Sequence, residues 1–232
     1  MAAELQVGKR VALVAGSTGL TGSALLQLLL RGNDYSRVYA VTRRPVPLDH
    51  PRLANRILKL EELGQRLAGL RCDDAFCSIG AAHGPRAAAA ELRHVDVELV
   101  LAFARAAQSA GATRLVVISA ARADRTASQP FLRCKGEMEA ALRELRFGTL
   151  DILQPGPVLG LRAGSSGLET LRMALLPLLN PLLRGGLAAR RAISGADLAA
   201  AMLGAARSQR RGVYCHAGQS LRDLATAGRQ RG

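Results

Sequence analysis

Apolar residues in this chain come in two rhythms. Short runs such as Val11-Ala-Leu-Val-Ala15, Val38-Tyr-Ala-Val-Thr42 and Val116-Val-Ile118 are almost continuously hydrophobic, while the stretches between them repeat apolar positions every three or four residues. The first pattern suits strands covered on both faces, and the second suits helices that cover them. It predicts strands over 10–15, 37–42, 56–60, 74–78, 114–119 and 148–154, and helices over 20–31, 61–68, 87–110, 130–146, 168–183, 195–208 and 220–227. Strands alternating with helices are the sequence form of repeated β-α-β units, so the expected fold is α/β, a doubly wound parallel sheet with helices on both faces. The alternation loses regularity after residue 154, where Pro155, Pro157, Gly160, Gly164 and Gly167 interrupt it. One domain over 1–232 is expected, with 155–232 supplying the substrate side, because ligands of open α/β sheets lie outside the carboxyl ends of the strands.

The junction of the first strand and first helix carries the sharpest signal. Gly16-Ser-Thr-Gly19-Leu-Thr-Gly22 follows the strand directly and an apolar helical run follows it. Gly16 lets the chain turn off the strand, Gly19 lets the backbone approach a pyrophosphate, and Gly22 lets the helix pack closely. The helix start offers unpaired N–H groups and partial positive charge to an anion. Gly16, Ser17, Thr18, Gly19, Leu20 and Gly22 are therefore the candidate phosphate cradle of a Rossmann-type dinucleotide site. The spacing is G-x-x-G-x-x-G, which shares the mechanism of the G-x-G-x-x-G fingerprint but not its register.

Composition narrows the reading. At 232 residues and 49% hydrophobic, the chain can bury a large core. A formal charge of +14 invites a nucleic-acid role, but the cations are dispersed arginines with three lysines, and aromatics make up only 3%. Neither a basic block nor a stacking platform results, which argues against nucleic acid as the partner. The N-terminus lacks the form of a secretion signal, and no apolar run reaches the roughly 20 residues of a membrane span, so a cytoplasmic location is expected. Cys72, Cys77, Cys134 and Cys215 show no C-x-x-C spacing and read as reduced packing thiols, not a metal site.

The second strand ends in Thr42-Arg43-Arg44, with no acidic residue from 37 to 47. An acid here would bind a ribose 2′-hydroxyl, whereas arginine binds a 2′-phosphate with paired donors, so Arg43 and Arg44 favour NADP(H) over NAD. The fourth strand stops at Ser78-Ile79-Gly80, which is expected to line the adenosine and pyrophosphate. His83, in the loop beyond, is a candidate proton donor, although a solvated loop residue is the plainer account. The segment 168–183 is unusually apolar and interrupted by prolines; core packing is its plain reading, a lid or a contact with a subunit or membrane surface the sharper one.

Further motifs carry a resemblance. With Gly16 to Gly22, Arg43-Arg44 and Ser78-Ile-Gly80 stand Val95-Asp96, Val117-Ile-Ser119-Ala, Lys135-Gly-Glu-Met-Glu139 and Gln154-Pro-Gly-Pro-Val158. Together they resemble the atypical branch of the short-chain dehydrogenase/reductase superfamily, most closely the Tat-interacting-protein-like NADPH-binding oxidoreductases and the NmrA-like NAD(P)H-binding proteins. The resemblance implies a Ser, Tyr and Lys triad in which tyrosine gives a proton to a carbonyl, serine polarises it and lysine holds the nicotinamide ribose. It assigns Ser119 and Lys135 as catalytic residues, with Lys135 also on the coenzyme, and places Pro155 and Val158 beside the nicotinamide. The tyrosine position holds Phe131, which has no proton to give. Two functions follow: an NADP(H)-dependent reductase of a small carbonyl-type substrate, or a coenzyme-binding redox sensor or regulator without turnover. A homodimer or a protein partner fits either.

Overall fold

The structure is a computed structural model that describes residues 9–58, 62, 69–80, 88–159 and 192–230. Its centre is a parallel sheet of seven strands: β1 (Arg10–Ala15), β2 (Tyr35–Thr42), β3 (Leu53–Ile57), β4 (Asp74–Cys77), β5 (Arg114–Ile118), β6 (Thr149–Gln154) and β9 (Gly212–Ala217). The spatial order is β3-β2-β1-β4-β5-β6-β9. The chain runs outward from β1 to β3, returns to place β4 on the other side of β1, and then continues outward. This reversal beside β1 is the switch point at which doubly wound sheets open a crevice for ligand.

Alternate residues of the strands build two cores. Leu13, Ala15, Cys77, Val117 and Ile152 pack with Phe103 and Met138, on α3 (Val100–Ser109) and α4 (Pro130–Glu144). Ala12, Val14, Phe76, Val116 and Leu153 pack with Leu25, Leu29, Leu198 and Met202, on α1 (Leu20–Arg31) and α5 (Gly195–Arg207). The near-continuous apolar runs of the inner strands follow from this double burial.

The edges depart from the sequence pattern. β3 lies three residues upstream of its expected start, at Leu53, where the Leu53 N–H donates to His50 O at 2.9 Å after a turn. Its half-exposed side chains carry a weak apolar signal. β9, absent from the pattern-derived strands, is the opposite edge and leaves Val213 and Cys215 exposed. The expected helix 87–110 is one helical track in three parts: α2 (Ala89–Arg93), a π-helical turn (His94–Leu99) and α3. Two short strands, β7 (Val158–Leu159) and β8 (Ile193–Ser194), pair in parallel beyond the sheet. The final helix α6 (Gln219–Arg229) crosses α5 so closely that a Cβ on Gly204 would lie 2.0 Å from Leu224 O. The expected helix 168–183, His83 and nearly all of 61–68 lie outside the described residues.

Candidate dinucleotide and catalytic site

β1 drives its last buried residue, Ala15, into Gly16, whose φ of 82° turns the chain sharply. Gly19 N–H closes the turn on Gly16 O at 2.9 Å, and Gly19 then serves as N-cap of α1 with no side chain satisfying the helix amides. Thr18 and Gly19 are exposed, so the amides open outward. Ser17 has the opposite character: it is 1% exposed, and its Oγ has no hydrogen-bond partner among the described residues. A buried hydroxyl without a partner costs about 1–3 kcal/mol, a deficit that a ligand oxygen would relieve. Gly22 packs against the loop itself, where a Cβ would sit 2.1 Å from Gly16 O and 2.6 Å from Ser78 Oγ. Leu20 is clamped by the start of α5, since a Cβ on Gly195 would approach its Cγ to 2.6 Å. These uncapped amides and this orphaned hydroxyl fit a pyrophosphate.

Ser78 ends β4 with its N–H and Oγ both donating to Ala15 O at 3.0 Å, which ties the second wall of the crevice to the first. Ile79 is buried and Gly80 exposed. Arg43 and Arg44 project beyond the end of β2, exposed, with neither an ion pair nor a hydrogen bond among the described residues. Both guanidiniums are uncommitted among the described residues.

The catalytic candidates gather on one stripe of α4. Phe131, Lys135 and Glu139 are spaced four apart, so they share a helix face. Lys135 is 3% exposed, and its Nζ lies 2.8 Å from Oδ1 of the fully buried Asp96 and 5.9 Å from the Phe131 ring centre. Asp96 comes from the π-helical turn, which swings it beneath Gly80; such single-turn π distortions recur at functional sites. Ser119 follows β5 directly, 4% exposed, and its Oγ donates to Glu139 Oε1 at 2.5 Å. Glu139 also accepts from Gln154 Nε2 at 2.8 Å and from Arg143 Nη2 at 3.3 Å. Pro155 is buried after β6, its carbonyl accepting from Ala121 N–H at 2.8 Å, and Val158 is half-buried where β7 meets β8.

The structure thus sets Lys135 and Phe131 with Asp96, and Ser119 with Glu139 and Gln154, along one face of α4, adding two acids and an amide that were not assigned as site residues. Glu139 could have been found from its spacing to Lys135. Asp96 was signalled only by the Val95-Asp96 motif of the resemblance, and its contact with Lys135 depends on the π-helical turn. No tyrosine stands in for Phe131. Tyr35 opens β2 and donates to Asp74 Oδ2 at 2.8 Å; Tyr39 sits in mid-β2 between the Arg37 and Arg56 guanidiniums; Tyr214 lies on β9 and donates to Arg211 O at 2.8 Å.

The thiols are set by burial. Desolvation pushes the Cys77 thiol up to about 11 and the Cys72 and Cys134 thiols upward too, which leaves all three protonated packing groups. Cys215 is exposed, at 3.2 Å from Arg143 Nη2.

The chain is similar to several known proteins. The mitochondrial protein FMP52 of Eremothecium gossypii is 31% identical over 151 residues, covering 65% of this chain and 67% of its own. Protein HTATIP2 of Rattus norvegicus is 30% identical over 150 residues, covering 63% of this chain and 62% of its own, so the match spans less than two thirds of that relative. Among solved structures, the Bordetella bronchiseptica enzyme WbmG in complex with NAD superposes with a TM-score of 0.65 at 17% identity, over 97% of this chain and 78% of that one. MoeE5 in complex with UDP-glucose and NAD gives 0.66 at 18%, over 93% and 80%. These superpositions show a shared Rossmann-like fold. No helix among the described residues is long and apolar enough to cross a membrane. Residues 12–130, from the first strand through Ser119 to the first residue of α4, match the model of the NAD dependent epimerase/dehydratase family, and the chain belongs to that family.

Proposed function

We propose that the protein is an NADP(H)-dependent oxidoreductase that reduces a small carbonyl substrate. The observation that carries the reading is the loop at the start of α1: helix amides without a side-chain cap above a buried Ser17 hydroxyl without a partner. Gly16, Ser17, Thr18, Gly19, Leu20 and Gly22 would hold the pyrophosphate, and Ser78, Ile79 and Gly80 the adenosine side. Arg43 and Arg44 would pair with a 2′-phosphate, Lys135 would take the nicotinamide ribose, and Pro155 and Val158 would wall the ring. The coenzyme supplies hydride chemistry, and Ser119 faces the substrate oxygen. The same reading keeps the protein in the cytoplasm, which fractionation can test, since several fungal relatives are named as mitochondrial.

The coenzyme assignment is tested by titrating wild type and Arg43→Ala with NADPH and NADH and following quenching of protein or coenzyme fluorescence. Loss of a charge-assisted phosphate contact weakens NADPH about tenfold or more and leaves NADH nearly unchanged. Equal losses for the two coenzymes reject the phosphate role. Turnover is tested by NADPH consumption across aldehydes and ketones. A wild type that binds but stays idle, while Phe131→Tyr reduces, would make the protein a coenzyme-binding regulator instead.

A further inference from the structure

Phe131 leaves the proposed reduction without its usual proton donor, and the three tyrosines lie elsewhere in the fold. The described residues offer one other hydroxyl in the cluster with a proton path behind it. Ser119 Oγ and Glu139 Oε1 stand 2.5 Å apart, both residues only 4% exposed. Gln154 fixes the same carboxyl oxygen at 2.8 Å, and Arg143, 39% exposed at its side chain, reaches the other oxygen and carries the network to the surface beside Cys215. Lys135, one turn earlier on α4, pairs with Asp96 at 2.8 Å, while the serine pairs with Glu139. A contact this short between two oxygens is in the range of charge-assisted hydrogen bonds.

We propose that Ser119 and Glu139 form the acid–base pair of the site, with Ser119 the catalytic residue at the substrate oxygen and Glu139 the positioning residue that stores its proton. The inference rests on the coenzyme-dependent reductase reading. In reduction the carbonyl carbon receives a hydride from the reduced nicotinamide coenzyme, and the C=O π pair moves onto oxygen. That oxygen takes the proton of Ser119 Oγ as a new O–H bond forms. Ser119 is reprotonated from Glu139, and Glu139 is recharged from solvent along the Arg143 side. One hydride and one proton are consumed per alcohol formed, and the coenzyme leaves oxidised. The reverse path runs through the same atoms: an alcohol gives its proton to Ser119, Ser119 passes its own to Glu139, and the hydride returns to the coenzyme. With serine donating to the carboxylate, the pair is in the form ready for that reverse step.

The test uses the full chain with NADPH and the carbonyl panel, in wild type, Glu139→Gln, Ser119→Ala and Ser119→Thr, with thermal melts to establish that each variant folds. The glutamine keeps an acceptor oxygen for Ser119 but holds no mobile proton. Expected are unchanged NADPH affinity and KM for Glu139→Gln, a kcat lower by about 100-fold or more, a similar loss for Ser119→Ala, and retained turnover for Ser119→Thr. A second readout needs no turnover: proton NMR of the wild type shows a slowly exchanging resonance far downfield of the amides, lost in both Glu139→Gln and Ser119→Ala. Wild-type kcat in a folded Glu139→Gln, or survival of that resonance in it, overturns the proposal while the reductase reading stands. A wild type that binds NADPH and reduces nothing removes the reductase reading and this proposal with it.

Discussion

Gly22 has no space for even a methyl group. Its Cβ would fall 2.1 Å from Gly16 O, far inside van der Waals contact, in a loop that already holds Gly16 at a positive φ, so Gly22→Ala must displace the turn that aims the helix amides. Such overpacking costs about 1–3 kcal/mol, and we expect Gly22→Ala to lower the melting temperature and abolish NADPH binding, read by differential scanning calorimetry and titration. At the same scale burial decides which thiols react. Cys215 should alkylate rapidly in native protein and Cys77 only after unfolding, as peptide mass spectrometry can score. Because the folded Cys77 thiol titrates near 11 and the unfolded one near 9, its contribution to stability is complete below pH 9 and is lost as pH rises toward 11. The loss amounts to about 2–3 kcal/mol, and Cys77→Ala should lack this alkaline limb in denaturant unfolding.

Among elements, the helical track from Ala89 to Ser109 does most to shape the site. A regular α-helix over this stretch is what the apolar periodicity predicts, and most of its length obeys. The π-helical turn at His94–Leu99 shifts the register, buries Asp96 completely and brings it onto Lys135 of α4. Two helices are thereby pinned by a buried ion pair whose partners are each costly alone. Asp96→Ala leaves the ammonium buried and uncompensated, and we expect a loss of about 3–5 kcal/mol in urea unfolding, with Asp96→Asn milder because its shape and hydrogen bonding survive. Edge elements explain the misplaced boundaries: β3 and β9 bury one side or less, so the hydrophobic alternation that marks a strand is faint there.

Across the whole molecule, a row of polar and charged contacts runs from strand to strand, beside the apolar packing of Tyr35 on Phe76. Tyr35 on β2 and Arg10 on β1 meet Asp74 on β4 at 2.8 and 2.6 Å; Arg114 on β5 lies 3.6 Å from Asp74 and 3.5 Å from Asp151 on β6; His216 on β9 completes the row 2.8 Å from Asp151. Arg10 and Arg114 also donate to Ala206 O and Ala205 O at 2.9 Å, capping the carboxyl end of α5, where cations are favoured. One belt therefore joins six adjacent strands to a helix. Asp74→Ala leaves the buried Tyr35 hydroxyl without its acceptor while Arg10 and Arg114 keep Asp34, Asp151 and the α5 carbonyls, and we expect it to cost about 1–3 kcal/mol. Burial raises the Asp74 pKa despite Arg10, so the folded state holds that proton more tightly than the unfolded chain. Its contribution is complete below the unfolded value near ~4 and declines as pH rises through the folded value, so wild type should lose stability relative to Asp74→Asn across that window.

The sequence by itself determined the sheet's inner strands, the helices between them and the glycine turn. Each is a local property: a run of apolar residues, a 3.6-residue period, or a backbone conformation that only glycine takes easily. It also determined that position 131 lacks a hydroxyl. Only the tertiary structure decided what surrounds that position. Asp96 reaches Lys135 across 39 residues of chain and Ser119 reaches Glu139 across 20, through a helix distortion and a crossover that no local pattern encodes. Contacts between segments distant in sequence arise from packing two cores on one sheet, so the chemistry of the site was written there and not in the order of residues.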